Sequence, residues 1–378
     1  SAAMLLLVAF LGLVVTERAR EQLAGDPRQP AFLGQLSLTL AAVALLMISA
    51  NLLELVFAWV ATSLGLHGLL LFRAERPGAR AAARKKFLVA RIGDCFLLVA
   101  VVLLASTFRT TDLQALLAAV DEARALGSVP LSVPVAAAAL AGAAVLKSAL
   151  FPFHGWLLDV METPTPVSAL LLAGIVNAGG FLLLRFHEVL LAAPAIMAAV
   201  AVLGGLSALL AGAVMLVQPR VRAGLAWSTI AQMGFLLLQC GLGAFAAAAL
   251  HLVAHALFKA HAFLATGETL SRETVGTRPP AAGPVPAVLR LAALALLLAV
   301  FALAARSAGE VAPALLALGA VFAIGLWQTV AAAPTALDFG LRLLLAAALA
   351  PLWLVLQDTA ARQLAGLFPA PGPLPPLA

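Results

Sequence analysis

The chain has 378 residues, of which 63% are hydrophobic and only 11% charged, with a mean hydropathy of +1.08. A surface so poor in charge excludes a water-soluble globular domain and makes lipid the solvent. The formal charge of +6 reads as loop charge that sets topology and meets lipid headgroups, and nucleic-acid binding is a poor second.

Apolar runs long enough to cross a bilayer lie near 2–15, 33–50, 52–72, 87–106, 133–153, 165–186, 193–217, 223–242, 244–267, 287–305, 311–331 and 338–357. Hydrocarbon offers backbone groups no partner, so these runs are predicted to be helices. The expected fold is an all-α polytopic bundle of about twelve spans, one transmembrane domain over 1–378. The first run begins at residue 1 without an initiator Met or a charged flank, as if upstream sequence were missing. The tail at 361–378 ends in "LFPAPGPLPPLA" and is too rich in proline to continue a helix.

Threading the spans alternately collects Arg18, Arg20, Arg28, the "RAERPGARAAARKK" loop at 73–86, Arg220, Arg222, Arg272, Arg278 and Arg342 on one side. The other side receives little beyond Arg109, Arg124, Arg306 and Arg362. Cytoplasmic loops collect Lys and Arg, so the first side is predicted to be cytoplasmic and both ends of the present chain to lie outside. Cys95 and Cys240 both fall in apolar runs, and their spacing suits no disulfide framework, zinc ribbon or iron–sulfur cluster.

The informative residues are those that hydrocarbon should exclude, because each needs a partner, water or a role. Lys147 lies near the end of the 133–153 run, five residues before Pro152, a proline expected to bend or break the helix. A desolvated lysine beside broken backbone can give up its proton, as a relay requires. A lysine snorkelling to the interface is the competing reading. In "ALHLVAHALFKAHAFLATGETL", His251, His255 and Lys259 recur every four residues and form one stripe about 80° wide on a helix, a line of proton carriers. His261 falls off that stripe. A metal pair is disfavoured, since no Glu follows the first His as in zinc peptidases and no third ligand is evident.

Asp94, in "ARIGDCFLL", has two candidate partners, Lys147 and Arg91. Asp159 and Glu162 flank the hinge after the expected break, where a solvated turn closed by "ETPTP" is the competing reading, and Glu162, before Thr163 and Pro164, suits a helix start as well as a channel. Glu54 reads as structural, and Asn177 and Gln232 as polar groups that hold water or bond between helices.

"LKSALFPFHGWLLDVMETPTPVSALLLAG" resembles the broken-helix signature of the antiporter-like subunits shared by respiratory complex I and Mrp-type cation/proton antiporters. "RIGD", "LAWSTIAQMGF" and "HLVAHALFKAHAFLATG" resemble further signatures of that family in the same order, over roughly residues 1–270. The resemblance implies a fold of fourteen core helices in two inverted repeats, here about 33–186 and 193–331, with two helices absent at the amino end. It also implies that Lys147 is the central proton relay and that His251, His255 and Lys259 belong to a hydrophilic axis along the membrane midplane. His154, Asp94 and Glu162 complete the expected pathway.

Three departures qualify it. The family glutamate that pairs with the relay lysine is Val60 here, a frequent family histidine is Leu172, and the 287–305 run has arginines only near its ends, Arg290 and Arg306. Together with "FAWVATSLGLHGLLLF" and "GIVNAGGFLLLR", these departures look more like the DabB branch, the membrane subunits of two-component inorganic-carbon accumulation systems. That branch implies a bacterial inner-membrane subunit conducting protons inward. Its DabA-like soluble partner, resembling a β-carbonic anhydrase, would carry the zinc, with no cofactor on this chain. A complex I-like or Mrp-type antiporter subunit and a non-conducting scaffold are the competing expectations.

Overall fold

The computed structural model describes residues 2–75, 77–160, 165–272 and 336–366, with scattered positions between 286 and 330 and residue 368. Among them no strand forms, and the backbone is satisfied along helices as lipid demands. The chain divides into two compact units, Ser1–Gly241 with His251–Arg272, and Leu242–Leu250 with Glu273–Ala378.

In the first unit α1 (Ala2–Gln22), α2 (Gln29–Ile48) and α3 (Leu52–Leu70) pack in sequence. Asn51 starts α3 by accepting the Leu53 N–H at 2.8 Å, and Asp112 starts a later helix by accepting that of Ala115 at 2.8 Å. The two caps are tied together, since Asn51 Nδ2 donates to Thr111 Oγ1 at 3.0 Å. Next comes α4 (Pro77–Phe108), 32 residues long. Most of the expected 73–86 loop is therefore helix, because Pro77 suits a first turn and the Ala, Arg and Lys that follow are strong helix formers.

After α5 (Leu113–Ala125), α6 (Ser132–Lys147) stops well short of the expected 153. Ala149 adopts φ 54°, its N–H donates to Leu146 O at 3.4 Å, and the Leu150 N–H reaches back to Val145 O at 3.1 Å. These are the two bonds of a Schellman closure, so the helix ends five residues ahead of Pro152 and Lys147 occupies its last turn. A non-glycine residue in the left-handed region costs about 1 kcal/mol, a sign that packing dictates the stop. The short α7 (Gly155–Asp159) follows the break. The 165–186 run is likewise divided into α8 (Thr165–Ala173), a 3-10 turn at Ile175–Asn177 and α9 (Ala178–Arg185). Arg185 ties the end of α9 to α2, donating to Met47 O at 2.8 Å and also to Ser49 O.

Beyond α10 (His187–Leu191), α11 (Pro194–Leu216) and α12 (Val221–Gly241) form a close helix pair. The buried positions of α11 are Val200, Gly204, Ser207 and Ala211, a narrow stripe of mostly small residues. A Cβ on Gly204 would lie 2.6 Å from Gly234 O, and one on Gly234 2.6 Å from Ala208 N, so the backbones touch where only glycine fits. The other faces carry Val202, Leu206 and Leu209, exposed to lipid. Then α13 (Phe245–Arg272) holds the histidine stripe.

Among the described residues seven helices are long and apolar enough to cross a membrane, and Ser132–Lys147 and Leu170–Arg185 are shorter apolar ones. The 2–15 run lies within α1. Most of the runs at 287–305 and 311–331, including Arg290, with Arg306 and most of the 361–378 tail, fall outside the described residues, as does Glu162. In the second unit α14 (Ala336–Gln363) packs Phe339 and Ala346 against Ala293 and Val330, and Asp338 pairs with Arg342 at 2.9 Å.

Candidate functional site

Lys147 is 8% exposed, so its ammonium faces the interior rather than the interface. Its Nζ donates to Ser63 Oγ at 2.7 Å and lies 4.4 Å from the centroid of the Trp59 ring, both groups on α3. The ring face supplies negative potential where Val60 supplies none, though a cation–π contact is worth about 0.5–2 kcal/mol and does not replace a carboxylate. Asp94 pairs with its helix neighbour Arg91 at 2.6 Å. Of its two expected partners the guanidinium wins, because a contact one turn away on α4 needs no second helix.

Ser148, the next residue, makes a contact of its own. Ser148 Oγ donates to Val176 O at 3.1 Å, joining the end of α6 to the 3-10 turn between α8 and α9. A Cβ on Gly179 would lie 2.5 Å from Ala144 O, so the approach of α9 to α6 requires glycine. Adjacent to Val176, Asn177 Oδ1 accepts from His255 Nδ1 at 3.1 Å. His251 Nδ1 donates to Gln239 Oε1 at 2.8 Å, and the two imidazole centroids are 6.1 Å apart. Both Nε2 atoms are then acceptors, buried without a hydrogen-bond partner. One further turn along α13, Lys259 is fully buried and donates to Leu225 O at 3.1 Å. Two buried polar groupings thus lie in the first unit: Lys147 with Ser63 and Trp59 where α6 meets α3, and Asn177, His255, His251 and Lys259 along α13, with Ser148, next to Lys147 in the chain, bonded to Val176, next to Asn177. His261 is exposed, off the stripe.

His154 belongs to neither grouping. Its ring lies 5.5 Å from that of Phe151 and 5.0 Å from that of Trp227, with Nδ1 buried and unpartnered. Burial, aided by the nearby Lys85 ammonium, holds its imidazole below the usual value. Asp159 pairs with Lys85 at 2.8 Å on the surface, which answers to the solvated-turn reading. Glu54 is exposed in the first turn of α3. Asn177 does bond between helices, whereas Gln232 is exposed and Gln239 takes the buried place.

Sequence reasoning missed Ser63, Ser148, Gln239 and one further residue, Lys86. It is 3% exposed and donates to Ser63 O at 2.8 Å. Among the described residues no group of three or more His, Cys, Asp or Glu side chains is placed to hold a metal ion. The buried groups named above offer hydrogen bonding and proton exchange between amines and imidazoles.

Residues 49–339 match the family described as NADH:quinone oxidoreductase/Mrp antiporter, TM. The chain is 43% identical over 261 residues to the probable inorganic carbon transporter subunit DabB2 of Halothiobacillus neapolitanus, covering 69% of this chain and 47% of that protein. It is 36% identical over 271 residues to NADH-quinone oxidoreductase subunit L of Pseudomonas aeruginosa, covering 71% of this chain and 44% of that protein. The structure of the Mrp complex from Dietzia sp. DQ12-45-1b superposes with a TM-score of 0.65 at 28% identity, over 96% of this chain and 38% of that one. The chain spans about half the length of the curated carbon-transporter relatives it matches.

Proposed function

Because the chain belongs to the NADH:quinone oxidoreductase/Mrp antiporter transmembrane family, we propose that it is a proton-conducting membrane subunit whose proton flow energises inorganic-carbon uptake by a peripheral, carbonic-anhydrase-like partner. The observation that carries this reading is the burial, among helices of one unit, of Lys147 with Ser63 and of His255, His251 and Lys259 with Asn177, the two groupings joined by the Ser148–Val176 hydrogen bond between their chain neighbours. Titratable groups in register within hydrocarbon are costly, and proton transfer is the role that accounts for all of them together. The amines of Lys147 and Lys259 and the imidazoles of His255 and His251 gain and lose the proton, while Ser148, Asn177 and Gln239 hold and orient them. Asp94 offsets the Arg91 charge beside the relay. His154 and Glu162 flank the break and are assigned to its mouth.

The carbon substrate is suggested by the DabB2 relative, and zinc for CO2 hydration would sit on a DabA-like partner at the cytoplasmic face of a bacterial inner membrane. A complex I-like or Mrp-type cation/proton antiporter subunit is the second reading, favoured by the likeness to subunit L and to the Mrp complex. Co-purification separates the two, yielding a large carbonic-anhydrase-like protein in the first case and antiporter or dehydrogenase subunits in the second.

The test is Lys147→Ala in the full-length protein with its partner, assembled in vesicles carrying a pH-sensitive dye. Proton flux should fall by about a hundredfold, the scale of losing a proton-transfer group, with assembly intact. Lys147→Arg should also be poor, since guanidinium does not release its proton at accessible pH. Normal flux in an assembled Lys147→Ala complex would remove Lys147 from the pathway, whereas no flux in the unsubstituted complex would leave the non-conducting scaffold reading standing.

A further inference from the structure

Lys86 is a buried cation that the proposed pathway does not use. It lies on α4, one residue beyond Lys85, yet the two have opposite surroundings. Lys85 is exposed and paired with Asp159, whereas Lys86 is 3% exposed, has no acidic partner within ion-pair distance among the described residues, and spends its hydrogen bond on Ser63 O. The same serine accepts Lys147 through its hydroxyl. One residue of α3 therefore stands between two buried amines from two other helices, α4 and α6.

The charged and titratable groups facing Lys86 can be named helix by helix. On α3 there is His67, on α6 Lys147, and on α4 itself Arg91 and Asp94, already paired with each other. Asp94 is the one carboxylate among these groups, and its single charge is already shared with Arg91, so it cannot neutralise two ammonium groups as well. Like charges in a low-dielectric site disfavour double protonation. An amine without its proton remains a donor, so either lysine can keep its bond to Ser63 when neutral.

We infer that Lys86 and Lys147 form a two-amine proton site bridged by Ser63, holding one proton between them, with Lys86 the member that exchanges it with the basic side of the membrane. The inference rests on the proton-conduction reading and deepens it, because it supplies the entrance or exit that Lys147 lacks. Lys86 lies nine residues along α4 from Pro77, near the basic end of that helix, and Lys147 lies at the break. Ser63 holds the two in place and carries no charge itself.

The experiment uses the full-length complex in vesicles, measuring proton flux against pH for the unsubstituted protein, Lys86→Met, Lys86→Arg and Ser63→Ala. Lys86→Met keeps the length and apolar stem but cannot carry a proton, and flux should fall at least tenfold with assembly unchanged. Residual flux in that variant should persist to higher pH, since Lys147 without a neighbouring ammonium keeps its proton longer. Lys86→Arg, a permanent cation, should be equally slow but fail at lower pH. A merely structural lysine would leave the pH profile in place and would be restored by arginine. Flux and profile unchanged in Lys86→Met would overturn the inference while leaving Lys147 as a lone relay. No flux in the unsubstituted complex would overturn the conduction reading itself. If Lys86→Met fails to assemble, the shift to lower pH is sought in Lys86→Arg and slower flux in Ser63→Ala, which removes the hydroxyl that accepts Lys147 and keeps the carbonyl that accepts Lys86; an unmoved profile in the first together with unchanged flux in the second overturns the inference.

Discussion

Asn177 illustrates how a neutral side chain governs a titratable one. Its amide oxygen accepts from His255 and so leaves Nε2 of that ring as the acceptor toward the interior. Asn177→Leu should strand a buried N–H at a cost of about 1–3 kcal/mol, lower the thermal midpoint of the complex and slow proton flux. Unchanged flux and stability in that variant would remove Asn177 from the path. The charged members of the two groupings were legible because a four-residue repeat of His, His and Lys in an apolar run has few structural excuses. Ser63, Ser148 and Gln239 were not, since isolated hydroxyls and amides are common between membrane helices. Lys86 was hidden by its neighbour. Only the phase of α4 separates it from Lys85, through the buried positions Ala79, Ala82, Ala83, Leu97, Ala100, Val101 and Leu104. At about 100° per residue the centre of that stripe falls within roughly 20° of position 86 and about 120° from position 85.

The α11–α12 pair behaves as one slab because small residues let the two backbones meet. Gly204→Leu should force the helices apart, since a Cβ there already lies 2.5 Å from Leu238 N and 2.6 Å from Gly234 O. The expected outcome is a complex that assembles poorly in detergent and melts earlier, by an overpacking cost of about 1–3 kcal/mol or more. An unaltered melting curve would refute the close approach. The long helices could be read from hydropathy and length alone. The end of α6 could not, because Ala149 carries no signal for a left-handed backbone and the proline that seemed to mark the break lies beyond it.

We propose from loop charge that the basic 73–86 stretch faces the cytoplasm, which makes a prediction for intact cells. Ala81 is exposed near the start of α4, on the basic side, and Ser128 is exposed between α5 and α6, on the opposite side. An impermeant thiol reagent applied outside should label Ser128→Cys and spare Ala81→Cys in a background lacking Cys95 and Cys240. The reverse pattern would invert the chain. Ala82, in the same basic stretch, is 2% exposed and unsuited to such labelling. The all-helical class, most of the spans and the family signatures were visible in the amino-acid string, since lipid narrows the choice of backbone to little else. How the helices stack was not, because it depends on which glycines meet and which lysine turns inward.

The contact between Lys147 and Trp59 has an optical consequence. An ammonium 4.4 Å from the indole centroid exerts an electric field on the ring that an amine does not. The emission of Trp59 therefore reports the charge of the lysine beneath it. With the other four of the five tryptophans replaced by phenylalanine, the colour of that single fluorophore becomes a direct titration of the relay, read in real time while protons move.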